Sequence, residues 1–176
     1  MDTLFLHVCC GPCAAYPLER LLAESGRKLE LWFYNPNIHP QSEFARRRDS
    51  FAFLAAVHGL QADFSAPYEP AVFLAEFAQR PSPPERCRRC YALRLGRAAE
   101  EAAARGRRAF ATTLAFSRRQ KHELLIEEGL KAAAAHGLDF YYEDWRPGWR
   151  RGHEIARGLG LYRQNYCGCV YSELER

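Results

Sequence analysis

No apolar run in this 176-residue chain is long enough to span a bilayer. The opening MDTLFLHVCC has an early Asp2 and no basic stretch, so a secretory leader is not expected. No G-x-x-x-x-G-K-S/T phosphate loop, no G-x-G-x-x-G fingerprint and no Ser–His–Asp arrangement can be read. P-loop phosphoryl transfer, dinucleotide binding and triad hydrolysis therefore find no support. No internal repeat, linker or low-complexity tract interrupts the chain, and the Ala-rich segments read simply as good helix. A composition of 48% hydrophobic and 26% charged residues suits a globular protein with a sizeable core. The expectation is one cytoplasmic domain over residues 1–176, with no membrane partner.

Cysteine, by contrast, is plentiful. There are seven, an odd number that leaves one thiol over in any all-disulfide scheme. A reducing compartment argues against a disulfide scaffold and toward metal binding or redox catalysis. The cysteines fall in three packets: Cys9, Cys10 and Cys13; Cys87 and Cys90; Cys167 and Cys169. Arg heavily outnumbers Lys, and the formal net charge is +4. Arginines cluster at 46–48, 86–89, 105–108, 118–119 and 146–151. Arg-favouring codons and solvated helix faces explain part of this. An anionic partner explains the packets near Cys87 and Arg146, which lie beside candidate chemistry.

The hydrophobic pattern alternates strands with helices. LFLHVCC is a short apolar strand, followed by a turn and the helical period of AAYPLERLLAE. LELWFYNPN, QADFSAPY, AFATTLAFS and LDFYYEDWRPG read as further strands. QSEFARRRDSFAFLAAVHGL, EPAVFLAEFAQR, CYALRLGRAAEEAAARGRR, RQKHELLIEEGLKAAAAHG and WRRGHEIARGLGL read as helices, and PSPPERC as a Pro-rich loop. Such βα units predict a Rossmann-like, doubly wound α/β fold: about five mainly parallel strands with helices on both faces. Ligands of such folds gather at the C-terminal strand ends. That edge would collect Cys9, Cys10 and Cys13, the stretch from Asn35 and Asn37 to His39, the stretch Thr112–Ser117, and Asp144–Gly148. The segment 164–176 would be a C-terminal CxC tail folding back on this site.

CGPC at residues 10–13 has the spacing of a thioredoxin dithiol. A thioredoxin strand order is disfavoured, because this motif follows the first strand and three more parallel-type units come after it. The chemistry still carries over: a cysteine before a helix N-terminus faces the positive end of the dipole, which favours its thiolate. Cys87-x-x-Cys90 can point two sulfurs at one centre. Gly168 lets the backbone turn so that Cys167 and Cys169 face the same way. A disulfide across CxC is strained and easily reduced, which suits a redox shuttle. Four thiolates fit tetrahedral zinc or an iron–sulfur cluster. Cysteines beyond four, on a scaffold that needs no zinc to fold, favour the cluster.

Single residues say less. His39 reads as a proton donor or an ordinary loop histidine, and His7 as a core or supporting group. Trp145, Tyr141 and Tyr142 fit base stacking or core packing. Asp144 and Arg146 are better candidates, since short charged residues at a strand end rarely serve a core. Ser117 reads as a helix cap followed by Arg118, Arg119 and Lys121, a basic helix start that a bound phosphate would justify.

Taken together, LHVCCGPCA, FYNPNIHP, ERCRRCYALRL, TTLAFSRRQKHE, YEDWRPGWRRG and LYRQNYCGC resemble the QueH family of epoxyqueuosine reductases, in order and through nearly the whole chain. The resemblance implies an oxidoreductase of tRNA processing. Its members remove the epoxide oxygen of epoxyqueuosine at the anticodon wobble position to give queuosine. The resemblance also implies a [4Fe-4S] cluster, no cobalamin, and Cys9, Cys10, Cys87 and Cys90 as cluster ligands. Cys167 and Cys169 match its redox-active pair. Cys13 is unassigned by that pattern and is available to a second, adjacent iron. Adjacent ligands such as Cys9 and Cys10 require the strand to have broken into a turn. On the same reading His39, Asp144 or a cysteine thiol protonates the leaving oxygen. Asn35, Asn37, Arg118, Arg119, Lys121 and Arg146 contact the tRNA, and the electron donor is external. Two other classes stay open. An ATP-dependent tRNA sulfur-transfer enzyme would need an SGGxDS loop where CCGPCA stands. A zinc or iron–sulfur RNA-binding module needs no redox pair.

Overall fold

The computed structural model describes residues 3–24, 26–79 and 81–174. Strand β1 (Thr3–His7) is buried along nearly its whole length and leads into helix α1 (Gly11–Ala23). Strand β2 (Lys28–Trp32) is followed by α2 (Gln41–Val57), the two-residue β3 (Ala62–Asp63) and the short α3 (Pro70–Glu76). Next come α4 (Glu85–Ala104), β4 (Ala109–Thr112) and a 3-10 turn over Thr113–Phe116. The chain continues with α5 (His122–His136), β5 (Asp139–Phe140) and a 3-10 turn over Arg146–Gly148. It closes with α6 (Trp149–Gly158) and α7 (Val170–Leu174).

All pairings between the five strands are parallel, in the order β3-β2-β1-β4-β5. The expected doubly wound α/β sheet is what the chain forms. β1 is central because it is the most continuously apolar strand. Leu6 sits in register with Leu31 on one side and Ala111 on the other, and His7 with Trp32 and Thr112. Parallel strands covered on both faces need such runs rather than alternation. α1 packs against α2 and α6, while α4 packs against α5, so the helices form two groups around the sheet. Phe5, Leu6, Trp32, Phe33, Phe110, Leu18 and Leu95 fill the core between them. Each such side chain contributes roughly 1.5–3 kcal/mol on burial.

In this strand order the chain winds outward from β1 to β2 and β3, then crosses over to β4 and β5 on the other side of β1. The crevice between the ends of β1 and β4 is the topological switch point, where ligands of open α/β sheets bind. Cys9 and Thr113 stand there.

Several local expectations shift. The third and fifth strands are two-residue edge pairings, because only a few residues of each reach a neighbour. α4 starts at Glu85, so Cys87 lies in the helix with Cys90 rather than in the preceding loop. α5 starts at His122 rather than at Arg119; Ser117 ends the 3-10 turn, and its hydroxyl accepts from the Arg119 backbone N–H at 3.2 Å. Trp145 is 1% exposed and belongs to the core. α3 ends at Glu76, before the expected Arg80, which lies outside the described residues, as do Asp2, Glu175 and Arg176. Among the described helices none is long and apolar enough to cross a membrane.

Candidate functional site

The site begins where β1 ends. Cys10 occupies the N-cap of α1 with extended backbone angles (φ −174°, ψ 165°). The strand has therefore ended before the two adjacent cysteines, and their sulfurs lie 3.9 Å apart instead of diverging. Cys13 follows on the first turn, so the sulfurs of Cys9, Cys10 and Cys13 all lie within 4.8 Å of one another. Tetrahedral coordination with bonds of about 2.3 Å places sulfurs roughly 3.8 Å apart. The soft donor set and its spacing thus fit a metal ion.

Protonation is uneven within this nest. The thiols of Cys10 and Cys13 hydrogen-bond to Cys9 and hold it well below the usual thiol range, with help from Arg94 and Thr113. Burial pushes Cys10 up to about 12. Cys13 is pushed up by its bonds to Cys10 and Cys9. Thr113 Oγ1 accepts from the Cys9 backbone N–H at 3.0 Å and donates to its Sγ at 3.2 Å. Gln164 Nε2 donates to Cys10 Sγ at 2.9 Å and reaches Cys13 Sγ at 3.9 Å. Its Oε1 is buried without a partner.

The second packet rides on α4. Cys87 and Cys90 are one turn apart, and Arg94, one further turn along, puts Nη1 at 4.0 Å from Cys90 Sγ. Arg94 is 3% exposed, and its Nη2 donates to Asn35 Oδ1 at 2.6 Å. Asn35 Nδ2 in turn donates to the Val8 carbonyl at 2.9 Å, which ties α4 to the end of β1. The guanidinium lies within electrostatic reach of Cys9, Cys90 and Cys167. A buried cation among sulfurs offsets the cost of thiolates there.

The third packet is brought over by α2. Arg47 is buried and bonds Glu43 Oε1 at 2.7 Å, the Cys167 carbonyl at 3.1 Å and the Tyr166 carbonyl at 3.4 Å. Tyr166 donates to the His39 carbonyl at 2.8 Å, and Cys169 makes an antiparallel bridge with Ile38. Between the two thiols Gly168 adopts φ +104°, a conformation that L side chains avoid. The bond from Cys169 lowers Cys167 to about 5, while the same bond and burial push Cys169 up. Burial pushes Cys90 up to about 11.

Two cavities share this centre. The larger, about 460 Å³, is lined by Cys9, Cys13, Cys167, Arg118, Arg119 and Trp149 among others. The smaller, about 280 Å³, is lined by Cys87, Cys90, Cys167, Cys169, Asn37 and Lys121 among others. Cys167 and Arg119 belong to both. Asn37 is buried and its Oδ1 has no partner. His39 lies outside both linings, packed near Tyr68 and Phe73, and burial lowers its pKa. Asp144 and Arg146 also lie outside and pair with each other, Nε to Oδ1 at 2.8 Å and Nη2 to Oδ2 at 2.6 Å. Arg146 thereby holds the Asp144 carboxyl down at about 2.

Sequence patterns pass over Arg47, Arg94, Trp149 and Gln164 as members of this site, and bring Thr113 in only as part of the strand-end stretch Thr112–Ser117. Arg94 was open to detection, since it stands four residues after Cys90 on one helix face. Thr113 and Gln164 reach the sulfurs, and Arg47 the backbone of Cys167, only through tertiary packing.

The family model described as epoxyqueuosine reductase QueH matches residues 4–175. The chain is 38% identical over 175 residues to the epoxyqueuosine reductase QueH of Dehalococcoides mccartyi, covering 98% of this chain and 93% of the relative. It is 33% identical over 183 residues to the protein of the same name from Thermotoga maritima, covering 100% and 93%. It is 36% identical over 178 residues to that of Acinetobacter baylyi, covering 97% and 80%.

Proposed function

The chain belongs to the epoxyqueuosine reductase QueH family, and from that membership we propose that it reduces epoxyqueuosine in the anticodon wobble position of a cytoplasmic tRNA to queuosine. It is an oxidoreductase. The observation that carries the finer reading is the convergence of the three cysteine packets on two adjoining cavities that share Cys167. We read residues 1–176 as one domain whose tail, from 164, closes over this centre.

Cys9, Cys10, Cys87 and Cys90 hold a [4Fe-4S] cluster in this reading, with Cys13 available to a second, adjacent iron and no cobalamin involved. The seven free thiols and the buried Arg94 suit such a group. When bound, it supplies one-electron transfer and a Lewis-acidic iron. Arg94 offsets the negative charge of the sulfurs. Thr113 and Gln164 fix the sulfurs of Cys9 and Cys10 by donating to them.

The overall reaction converts the C–O–C of the epoxide to C=C and water, which consumes two electrons and two protons. The Cys167 thiolate and the Cys169 thiol supply both electrons as their S–S bond forms, and Cys169 releases one proton. The second proton comes from solvent. The raised pKa of Cys169 keeps that proton in place until the step, so Cys169 serves better than His39 or Asp144, which lie outside the cavities. An external electron donor then reopens the disulfide. Arg118, Arg119 and Lys121 meet tRNA phosphates; the pairing of Arg146 with Asp144 leaves Arg146 the weakest of that set.

The test is incubation of anaerobically purified protein with epoxyqueuosine-containing tRNA and a chemical reductant, followed by nucleoside mass analysis. Loss of the mass of one oxygen from the wobble nucleoside supports the reading. Unchanged epoxyqueuosine with iron-loaded protein refutes it.

A further inference from the structure

Of the chain's three tryptophans, Trp32 and Trp145 are each 1% exposed and filled into the core. Trp149 is only partly buried and lines the larger cavity with Cys9, Cys13 and Cys167. The His153 ring lies against it, with centroids 3.9 Å apart, and the Arg118 guanidinium lies over it at 4.5 Å from the centroid. Arg118 is exposed, and no carboxylate pairs with it among the described residues. The same holds for Arg119 and Arg163, which line the same cavity. Arginines elsewhere, such as Arg88, Arg105 and Arg146, are held by carboxylates.

The wall that carries Trp149 has been packed without slack. A Cβ on Gly148 would come within 2.0 Å of the Tyr16 ring, and one on Gly152 within 2.5 Å of the Phe116 ring. α6 therefore seats directly on α1 and on the 3-10 turn after β4. Trp149 and His153, four residues apart, share the helix face beside the cavity. A planar aromatic under an exposed guanidinium that no carboxylate holds, at the wall of a cavity of about 460 Å³, becomes a stacking platform for a flat ring once that guanidinium swings aside.

We propose that Trp149, with His153 beside it and Arg118 displaced from it, stacks the nucleobase of the epoxide-bearing nucleoside, and so sets how its epoxide meets the sulfurs of Cys9, Cys13 and Cys167 that line the same cavity. This rests on the functional reading above. Single-stranded RNA bases are commonly read by stacking between aromatic rings and guanidinium planes. Arg119 and Arg163 are then placed for the flanking phosphates. Trp149 is a positioning residue: it touches the base and not the reacting carbons.

Tryptophan fluorescence tests this, because Trp149 is the tryptophan that a ligand can reach. Anaerobically isolated protein is titrated with queuosine nucleoside, which is not turned over, and separately with epoxyqueuosine tRNA. Both should quench the emission saturably, and the quench should vanish in Trp149→Phe. Trp149→Leu should raise KM for the tRNA by about 5- to 150-fold, the range of one lost base stack, with a smaller change in kcat. Trp149→Phe should restore most of that affinity, and iron content should match the wild type in both variants. Quenching by the tRNA but not by the nucleoside would overturn the assignment to the modified base. An unchanged KM in Trp149→Leu would overturn the platform itself. Should the wild type fail to reduce epoxyqueuosine tRNA, the functional reading falls, whatever the titration shows.

Discussion

Thr113 Oγ1 bridges the backbone nitrogen and the sulfur of Cys9, at 3.0 and 3.2 Å, and so joins the ends of β1 and β4 at the switch point. Thr113→Val keeps the shape and removes both bonds. It leaves a buried N–H without a partner, and an unsatisfied group of this kind costs about 1–3 kcal/mol. Urea unfolding should show a loss of that order, and Thr113→Ser should recover most of it. Equal stability of the Val variant would mean that the bridge contributes nothing.

His7 gives a pH dependence. Its Nε2 donates to the Tyr34 carbonyl at 2.9 Å and its Nδ1 accepts from Thr112 Oγ1 at 2.8 Å. Burial lowers its pKa to about 3, so the native ring stays neutral while the unfolded chain protonates below about 6.5. The unfolded state then binds the extra proton, and stability must fall as pH drops from 6.5 toward 3. The slope approaches about 1.4 kcal/mol per pH unit from this group. His7→Gln should flatten the profile between pH 6.5 and 5, measured as urea midpoints. An identical slope in both proteins would contradict the assignment.

Arg47 holds the tail by the carbonyls of Cys167 and Tyr166. Arg47→Met should release residues 162–170 without unfolding the sheet. Limited proteolysis should cut there in the variant and not in the wild type, with little change in the cooperative unfolding transition. Global loss of structure at the same protease dose would mean that Arg47 serves the whole fold.

The Cys167 thiol is lowered to about 5 chiefly by the bond from Cys169. It should therefore be alkylated readily by iodoacetamide at pH 6.5. In Cys169→Ala the pKa should rise toward the ordinary value of about 8.5, and the thiolate fraction at pH 6.5 should fall by up to about 100-fold. At pH 9.5 the two proteins should react alike. A pH-independent rate ratio would point to access rather than ionisation.

Arg119 and Arg163 line the larger cavity with no carboxylate partner among the described residues. Replacing either by Ala should weaken tRNA binding and reduce the slope of log K against log salt by about 0.7. Weakened binding with an unchanged slope would mean that the residue does not meet a phosphate.

Much of this architecture is legible in the sequence, and the misses have physical causes. β1 and β4 are buried along nearly their whole length and β2 at its Leu31–Trp32 end, so the apolar residues there announce them. β3 and β5 are edge strands of two residues, and the half-exposed QADFSAPY and LDFYYEDWRPG carry little pairing signal. Pro83 and Pro84 suggest a loop through Cys87, yet Pro84 is the N-cap of α4 and Glu85 suits its first turn. Asp144 and Arg146 look like free charges because a pair two residues apart is invisible to helix or strand periodicity. Trp145 and Trp149 are four apart in sequence, yet one is core and the other cavity wall, a difference that only the packing of α6 decides. The grouping of Cys9, Cys10 and Cys13 is legible in their spacing, whereas the reach of Arg94 to Cys9, Cys90 and Cys167 needs the tertiary packing.

The central claim is that the Cys167–Cys169 couple furnishes the electron pair beside the metal-binding cysteines. The most direct measurement is a single turnover without external reductant, on anaerobically isolated and fully reduced protein, followed by differential alkylation and peptide mass mapping. The account predicts one Cys167–Cys169 disulfide for each queuosine formed, and in Cys169→Ser retained iron with no product. Queuosine formed while both thiols stay alkylatable, or turnover by Cys169→Ser, would contradict it.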